Sequence, residues 1–119
     1  MIIFLIFLTS EVLAKKIVLD CIGSPTLLIQ KNEWDNSTDG EKSKVIIDTS
    51  KKTIKSNSML FNESFKQGSE MISARTEKTS GMWWHIGVEQ NGTMGQTWFL
   101  EDTPLMITTY SCKGSTSLW

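Results

Sequence analysis

The sequence has few of the residues from which metal and nucleophilic sites are built. Among 119 residues it has one histidine and two cysteines. Two isolated cysteines and one histidine do not make a zinc site, and the chain has no C-x-x-C pair for thiol redox chemistry. No serine motif accompanies His85, and Glu89 would lie ~13 Å from it along a strand. We therefore expect a protein that is not an enzyme and has no cofactor.

Long apolar runs and an excess of one charge are also missing. No segment approaches the roughly 20 apolar residues that cross a bilayer as a helix. Lysine and arginine number 12 against 13 acidic residues, a balance that favours neither nucleic acid nor an anionic membrane as partner. The expected partner is a protein or a small molecule, and we expect the chain to be a monomer.

The N-terminus has the pattern of an export signal. An apolar run over residues 2–8 is followed by polar residues and then by Val12-Leu13-Ala14, a small-residue cleavage pattern. This predicts a signal peptide over residues 1–14, a single domain over residues 15–119, and a periplasmic or secreted location. No lysine or arginine precedes the apolar run, so a structural N-terminal strand is the alternative.

The two cysteines bracket nearly the whole predicted domain. In an oxidising compartment a Cys21–Cys112 disulfide closes a loop of about 90 residues, which stabilises the fold by roughly 4 kcal/mol in the chain-entropy model. A disulfide requires Cα atoms within about 7 Å. The cysteines fall in the first and last predicted strands, so these strands are expected to be neighbours.

Apolar residues recur mostly with the period of a strand. Residues 17–22 and 26–29, separated by Gly23-Ser24-Pro25, predict two strands, and residues 45–48 and 53–55 predict a hairpin. Further strands are predicted over residues 70–77, 83–88, 94–100 and 105–112, with a single helical turn near residues 62–67. The prediction is an all-β fold of about eight short antiparallel strands in a meander that closes into a small barrel, with an open β-sandwich as the alternative.

Three segments carry a resemblance. The segment over residues 17–23, the Val45-Ile46-Ile47-Asp48 strand and the closing Tyr110-Ser111-Cys112-Lys113 are similar to small exported proteobacterial proteins of unknown function with two cysteines. The resemblance implies a disulfide-tied β-domain in the bacterial periplasm, and it implies no catalytic residue.

The clearest turn signal is Asn91-Gly92, which predicts a two-residue type I′ hairpin. In that register His85 faces Trp98 and Gly87 faces Gln96, on the face opposite Trp84. The set predicted to bind a sugar, peptide or small amphiphile consists of Trp83, His85, Gln96 and Trp98. The alternative is that these aromatic residues only pack the core and cover a sheet edge.

A second candidate site is the loop over residues 35–41, which matches the opening of a calcium-binding loop. The predicted oxygen ligands are Asp35, Ser37, Asp39 and Glu41. Ile46 stands where a bidentate glutamate would close the cage, so only millimolar affinity is expected. A solvated polar loop is the alternative.

The sequence as a whole predicts an exported, non-catalytic binding or inhibitor-like β-domain that takes its ligand on an aromatic surface. A structural or envelope-interaction protein without a ligand site is the alternative. The first predicts an accessible aromatic patch or pocket, whereas the second predicts buried indoles.

Overall fold

The computed structural model describes residues 16–114, so the predicted signal peptide lies outside the described residues. The described chain forms ten strands and one 3₁₀ turn. The strands are β1 Lys16–Leu28, β2 Glu33–Asp35, β3 Lys42–Asp48, β4 Thr53–Ser56, β5 Met59–Phe61, β6 Glu63–Gln67, β7 Met71–Arg75, β8 Met82–Glu89, β9 Thr93–Leu100 and β10 Thr103–Lys113; the 3₁₀ turn is Asn36–Thr38. No helix in this part of the chain is long and apolar enough to cross a membrane.

All ten strands belong to one antiparallel sheet that nearly closes into a barrel, as predicted. The strand order is β5-β4-β3-β1-β10-β9-β8-β7-β6, and β2 pairs with the end of β1. Most successive strands are neighbours, but β2 and β3 both pair with β1, and β5 and β6 are the two ends of this order. The pairing of β10 with β1 joins the two halves of the meander. The sheet then curls so that β4 approaches β7 and β5 approaches β8.

The first strand is continuous, so the prediction of two separate strands at this place was wrong. β10 pairs with β1 on both sides of an irregularity between Gly23 and Thr26. On its other edge, β1 pairs first with β3 and then with β2. Pro25 lies inside the irregularity, where its missing N–H breaks no ladder hydrogen bond. The predicted break is therefore a bend that lets one strand serve two partners.

The predicted disulfide is present and links the first and last strands. Cys21 stands directly opposite Cys112 in the β1–β10 ladder, with 4.0 Å between their Cα atoms. The bond therefore ties the two strands whose pairing completes the meander.

The predicted helical turn near residues 62–67 was wrong, because this segment is the edge strand β6. Ser64 has a φ of 52°, and the β6–β7 pairing is irregular between Glu63 and Lys66. A left-handed residue inside the strand interrupts the period of two, and the interruption hid the strand from pattern reading.

Alternation of side chains fills most of the barrel interior with apolar groups. β1 and β3 turn every second residue inward over residues 17–23 and 43–47, and those residues are buried. In β8 the inward Ile86 and Val88 are buried, and the inward Trp84 is half-buried. The core side chains are Ile17, Leu19, Cys21, Val45, Ile47, Ile54, Phe61, Ile72, Ala74, Ile86, Val88, Met94 and Tyr110. Burial of a large aliphatic side chain stabilises a fold by about 1.5–3 kcal/mol, so this cluster is the main source of stability.

Candidate functional site

The inward face of the barrel changes from apolar to polar in one region. Ser43 continues the inward series of Val45 in β3, and Ser56 continues that of Ile54 in β4. Gln96 likewise follows Met94 in β9. These polar residues, together with Thr26 and Thr108, are at most 7% exposed and line a cavity of about 460 Å³. We call this hollow the barrel cavity.

A chain of three threonine hydroxyls crosses one wall of the barrel cavity. Thr38 Oγ1 donates to the carbonyl of Ser24 at 2.7 Å, which uses its only proton. In the 2.7 Å contact between Thr26 and Thr38 the donor must then be Thr26, and in the 2.5 Å contact between Thr108 and Thr26 it must be Thr108. Each of the three threonine hydroxyls therefore donates its proton to a known acceptor. Thr108 Oγ1 keeps acceptor lone pairs for another donor.

A second hydrogen-bonded polar group lines the barrel cavity beside the first, because Gln96 pairs directly with Thr108 in the β9–β10 ladder. Gln96 Nε2 donates to Ser56 Oγ at 2.9 Å, and Ser56 Oγ lies 3.0 Å from Ser43 Oγ. Among the described residues, no buried side-chain nitrogen or oxygen lacks a hydrogen-bond partner. Because a buried polar group is costly when unsatisfied, these two networks are what makes a polar interior compatible with a stable barrel.

Apolar and acidic groups complete the barrel cavity. The indole of Trp84 and the side chains of Met59 and Met106 supply its apolar lining. Glu41 also lines it, and its carboxylate accepts a hydrogen bond of 3.2 Å from the Tyr110 hydroxyl. Burial and the nearby Glu41 charge raise the pKa of Tyr110 to about 12, so its hydroxyl is a neutral donor at neutral pH.

The predicted register of the β8–β9 hairpin was wrong by one residue. Gly87 faces Gly95 and Trp84 faces Trp98, where a two-residue turn would have paired Gly87 with Gln96. The loop has three residues: the Gly92 N–H closes a turn on Glu89, and Gly92 alone has a positive φ. This is a type I turn followed by a left-handed glycine, and its extra residue shifts every pair.

The shifted register divides the predicted aromatic site between two faces. Gln96 and Trp98 share the inward face with Trp84, whereas Trp83 and His85 lie on the outward face. Of the four predicted residues only Gln96 lines the barrel cavity. Trp98 stacks on Trp84 with 6.1 Å between ring centroids and so supports the cavity's aromatic residue.

The outward-facing aromatic residues form a compact cluster. Trp83 stacks on Phe99 with ring centroids 4.1 Å apart, and the guanidinium of Arg75 lies 5.5 Å from the Trp83 ring centroid. The Trp83 indole N–H donates to the carbonyl of Glu101 at 2.7 Å. The indole N–H and the ring of Trp83 thus both have partners within the domain.

His85 lies beside this cluster, opposite Arg75 in β7 and Thr97 in β9. Burial lowers its pKa below the ordinary value, and the positive charge of Lys66 lowers that pKa further. His85 lies on the outer sheet face and does not line the barrel cavity.

The predicted calcium loop is a 3₁₀ turn with exposed ends. Asp35 Oδ1 accepts from the Ser37 N–H at 2.9 Å, which lowers the pKa of Asp35. Across residues 16–114 no group of three or more His, Cys, Asp or Glu side chains is placed to hold a metal ion. Asp35, Ser37 and Glu41 instead line the barrel cavity, and Asp39 does not.

A second hollow of about 570 Å³ lies on the outer face of β3, β1 and β10. Its lining includes Ile22 and the three lysines Lys42, Lys44 and Lys113, all of them exposed. Exposed flexible lysines have no fixed geometry, and the buried hydroxyl and amide groups described above line the other cavity. We therefore take the barrel cavity as the candidate site.

Thr26, Ser43, Ser56 and Thr108 were not predicted as site residues. The sequence does contain a signal for three of them, because each of Ser43, Ser56 and Thr108 lies two residues from a core residue and therefore on the same face. A polar residue at a strand position where the alternation predicts an inward apolar side chain indicates a polar interior. The signal has meaning only after the strands are placed around one barrel.

Comparisons with known proteins add no assignment to this geometry. The resemblance to small exported proteobacterial proteins accordingly stays a prediction. A scan of protein-family models, a search of curated proteins and a search of solved structures each returned no match to this chain.

Proposed function

We propose that the domain is an exported, non-catalytic binding protein that holds a small ligand inside its barrel cavity. The observation that carries the proposal is the set of five inward polar side chains in an otherwise apolar interior. Filling the same positions with aliphatic residues would give a conventional core. A hollow lined by fixed hydrogen-bonding groups and an aromatic residue is the usual form of a small-molecule site.

The ligand in this proposal has an apolar part and at least one hydrogen-bond donor. Trp84, Met59 and Met106 supply an apolar surface, and the lone pairs of Thr108 Oγ1 accept from the ligand. The volume of about 460 Å³ lies within the usual range of ligand pockets, about 300–1,000 Å³.

Two features support the non-catalytic and exported parts of the proposal. His85 faces outward, and Cys21 and Cys112 are joined, so neither residue type provides a nucleophile or base in the cavity. The disulfide fits the oxidising environment of the periplasm or the extracellular medium.

A fragment screen, repeated on variants of two adjacent threonines, tests the proposal. The oxidised domain is screened against a library of neutral and charged fragments by thermal shift and by backbone amide NMR. Bound fragments are expected to shift the amides of Ser43, Ser56, Gln96 and Thr108. Thr108→Val removes the free acceptor without changing shape and should weaken binding by about fivefold.

The matched control is Thr109→Val, which removes the neighbouring exposed hydroxyl of the same strand. It should leave fragment affinity unchanged. The proposal fails if no fragment binds at millimolar concentration, or if bound fragments shift only the outer face around Trp83 and Phe99.

A further inference from the structure

We infer that the ligand of the barrel cavity is a small organic cation, with an ammonium or guanidinium group on a short apolar arm. This inference rests on the proposed function, because it names the chemical class of ligand for the same site. It is argued from the charges and aromatic groups that line the cavity.

The charged lining of the barrel cavity is of one sign. Asp35 and Glu41 both line it, and among the described residues of its lining none is lysine, arginine or histidine. Lys42 and Lys44 are the nearest cations in β3, but they alternate with the inward Ser43 and are exposed on the opposite face. A cationic group that enters the cavity therefore meets two carboxylates and no like charge from the lining.

Both carboxylates are held in place by hydrogen bonds within the domain. Tyr110, a residue only 6% exposed, donates from its hydroxyl to Glu41 Oε1 at 3.2 Å. The Ser37 N–H donates to Asp35 Oδ1, which favours the ionised form of that carboxyl. Each carboxylate has a second oxygen with which it can accept a hydrogen bond from a cation.

The aromatic and neutral polar lining suits the same ligand. Ring faces attract cations, and the Trp84 indole lines the cavity beside the two methionines. Thr108 Oγ1 has its proton committed to Thr26 and offers only acceptor lone pairs. An ammonium group has three donors and no acceptor, so it matches the lone pairs of Thr108 Oγ1 and the two carboxylates, which only accept.

The inference is tested with three probes that share a phenethyl or phenylpropyl body and differ in charge. They are phenethylammonium, phenethyl alcohol and 3-phenylpropionate, titrated into the oxidised domain and followed by NMR. The cation should bind about fivefold more tightly than the alcohol, because two exposed carboxylates contribute modestly. The anion should bind most weakly. N-acetyl-lysine methylamide, added as a fourth probe, tells whether a peptide side chain can supply the cation in place of a free amine.

Charge-neutralising variants identify the carboxylates responsible. Glu41→Gln and Asp35→Asn should each lower the affinity for phenethylammonium about twofold and leave the affinity for phenethyl alcohol unchanged. The matched controls are Glu33→Gln, in β2, and Asp39→Asn, in the loop over residues 35–41. Each removes the same charge from a residue that does not line the cavity.

The possible failures are distinguishable. Equal affinity for the three probes, preference for the anion, or equal losses in the control variants would overturn the cation inference while leaving a binding cavity in place. If none of the three probes binds, the cation inference fails, and hits from the wider fragment screen then decide whether the proposed binding function survives.

Discussion

Breaking the disulfide between Cys21 and Cys112 should remove much of the stability of the domain. The bond links residues 91 apart in sequence, and the chain-entropy model gives about 4.6 kcal/mol at 25 °C for a loop of this length. A domain of this size has a free energy of unfolding of about 5–15 kcal/mol in total. The reduced protein is therefore expected to be marginally stable.

Urea unfolding followed by tryptophan fluorescence measures the effect on oxidised and reduced protein. The Cys21→Ala/Cys112→Ala variant is the control, because it lacks the bond with or without reductant. Its unfolding midpoint should match that of the reduced wild type, apart from the small stability lost because alanine buries no sulfur atom. Equal midpoints for oxidised and reduced wild type, or two free thiols by mass spectrometry of the protein purified without reductant, would refute the disulfide-tied barrel.

Three further predictions concern single residues. The raised pKa of Tyr110 means that its protonated form stabilises the fold fully below pH 10 and that this stability is lost as pH rises towards 12; alkaline unfolding curves should therefore show a loss of about 2 kcal/mol in wild type that is absent in Tyr110→Phe. Gly92→Ala forces a left-handed residue with φ 98° to carry a Cβ 2.7 Å from the Cys112 carbonyl oxygen, whereas Gly40→Ala, at φ 80°, places its Cβ in open space. Urea unfolding should give a loss of about 1–2 kcal/mol for Gly40→Ala and a clearly larger one for Gly92→Ala, and equal losses would contradict the close approach. Trp83→Ala removes the stack on Phe99 and should cost at least about 0.5–1.5 kcal/mol in thermal unfolding while leaving fragment binding in the barrel cavity intact; loss of that binding would place the ligand on the outer face.

The alternation of apolar residues was enough to predict the class of fold, and the two cysteines were enough to predict one neighbour of the first strand. Ile17, Leu19 and Cys21 share the buried face of β1, and the distance that a disulfide allows requires β10 to lie beside it. These features depend on local periodicity and one covalent constraint. Both can be read from the chain directly.

The hairpin register was not predictable in the same way. Asn91-Gly92 fits a two-residue turn, and it equally fits the last two residues of a three-residue loop. The two turns give pairings that differ by one residue. A one-residue shift changes which side chains face each other and so separates Trp83 from Gln96. The β10 carbonyl of Cys112, which lies against Gly92, is a long-range contact that the local sequence does not reveal.

The barrel cavity was the least predictable feature. Its polar groups come from β1, β3, β4, β9 and β10, and the Gln96–Ser56 hydrogen bond spans 40 residues of sequence. The sequence pattern predicts Asp35 and Glu41 as calcium ligands and Gln96 as part of an aromatic surface. Closure of the barrel is what brings all three to one cavity.

Indole NMR tests most directly the claim that the ligand lies inside the barrel. The five tryptophans each give one indole N–H signal in a ¹⁵N spectrum, and single Trp→Phe variants assign them. During titration with phenethylammonium the Trp84 signal should shift saturably, while those of the outward Trp83 and the exposed Trp34 stay in place. Saturable movement of Trp83 or Trp34 with a stationary Trp84 would contradict the account.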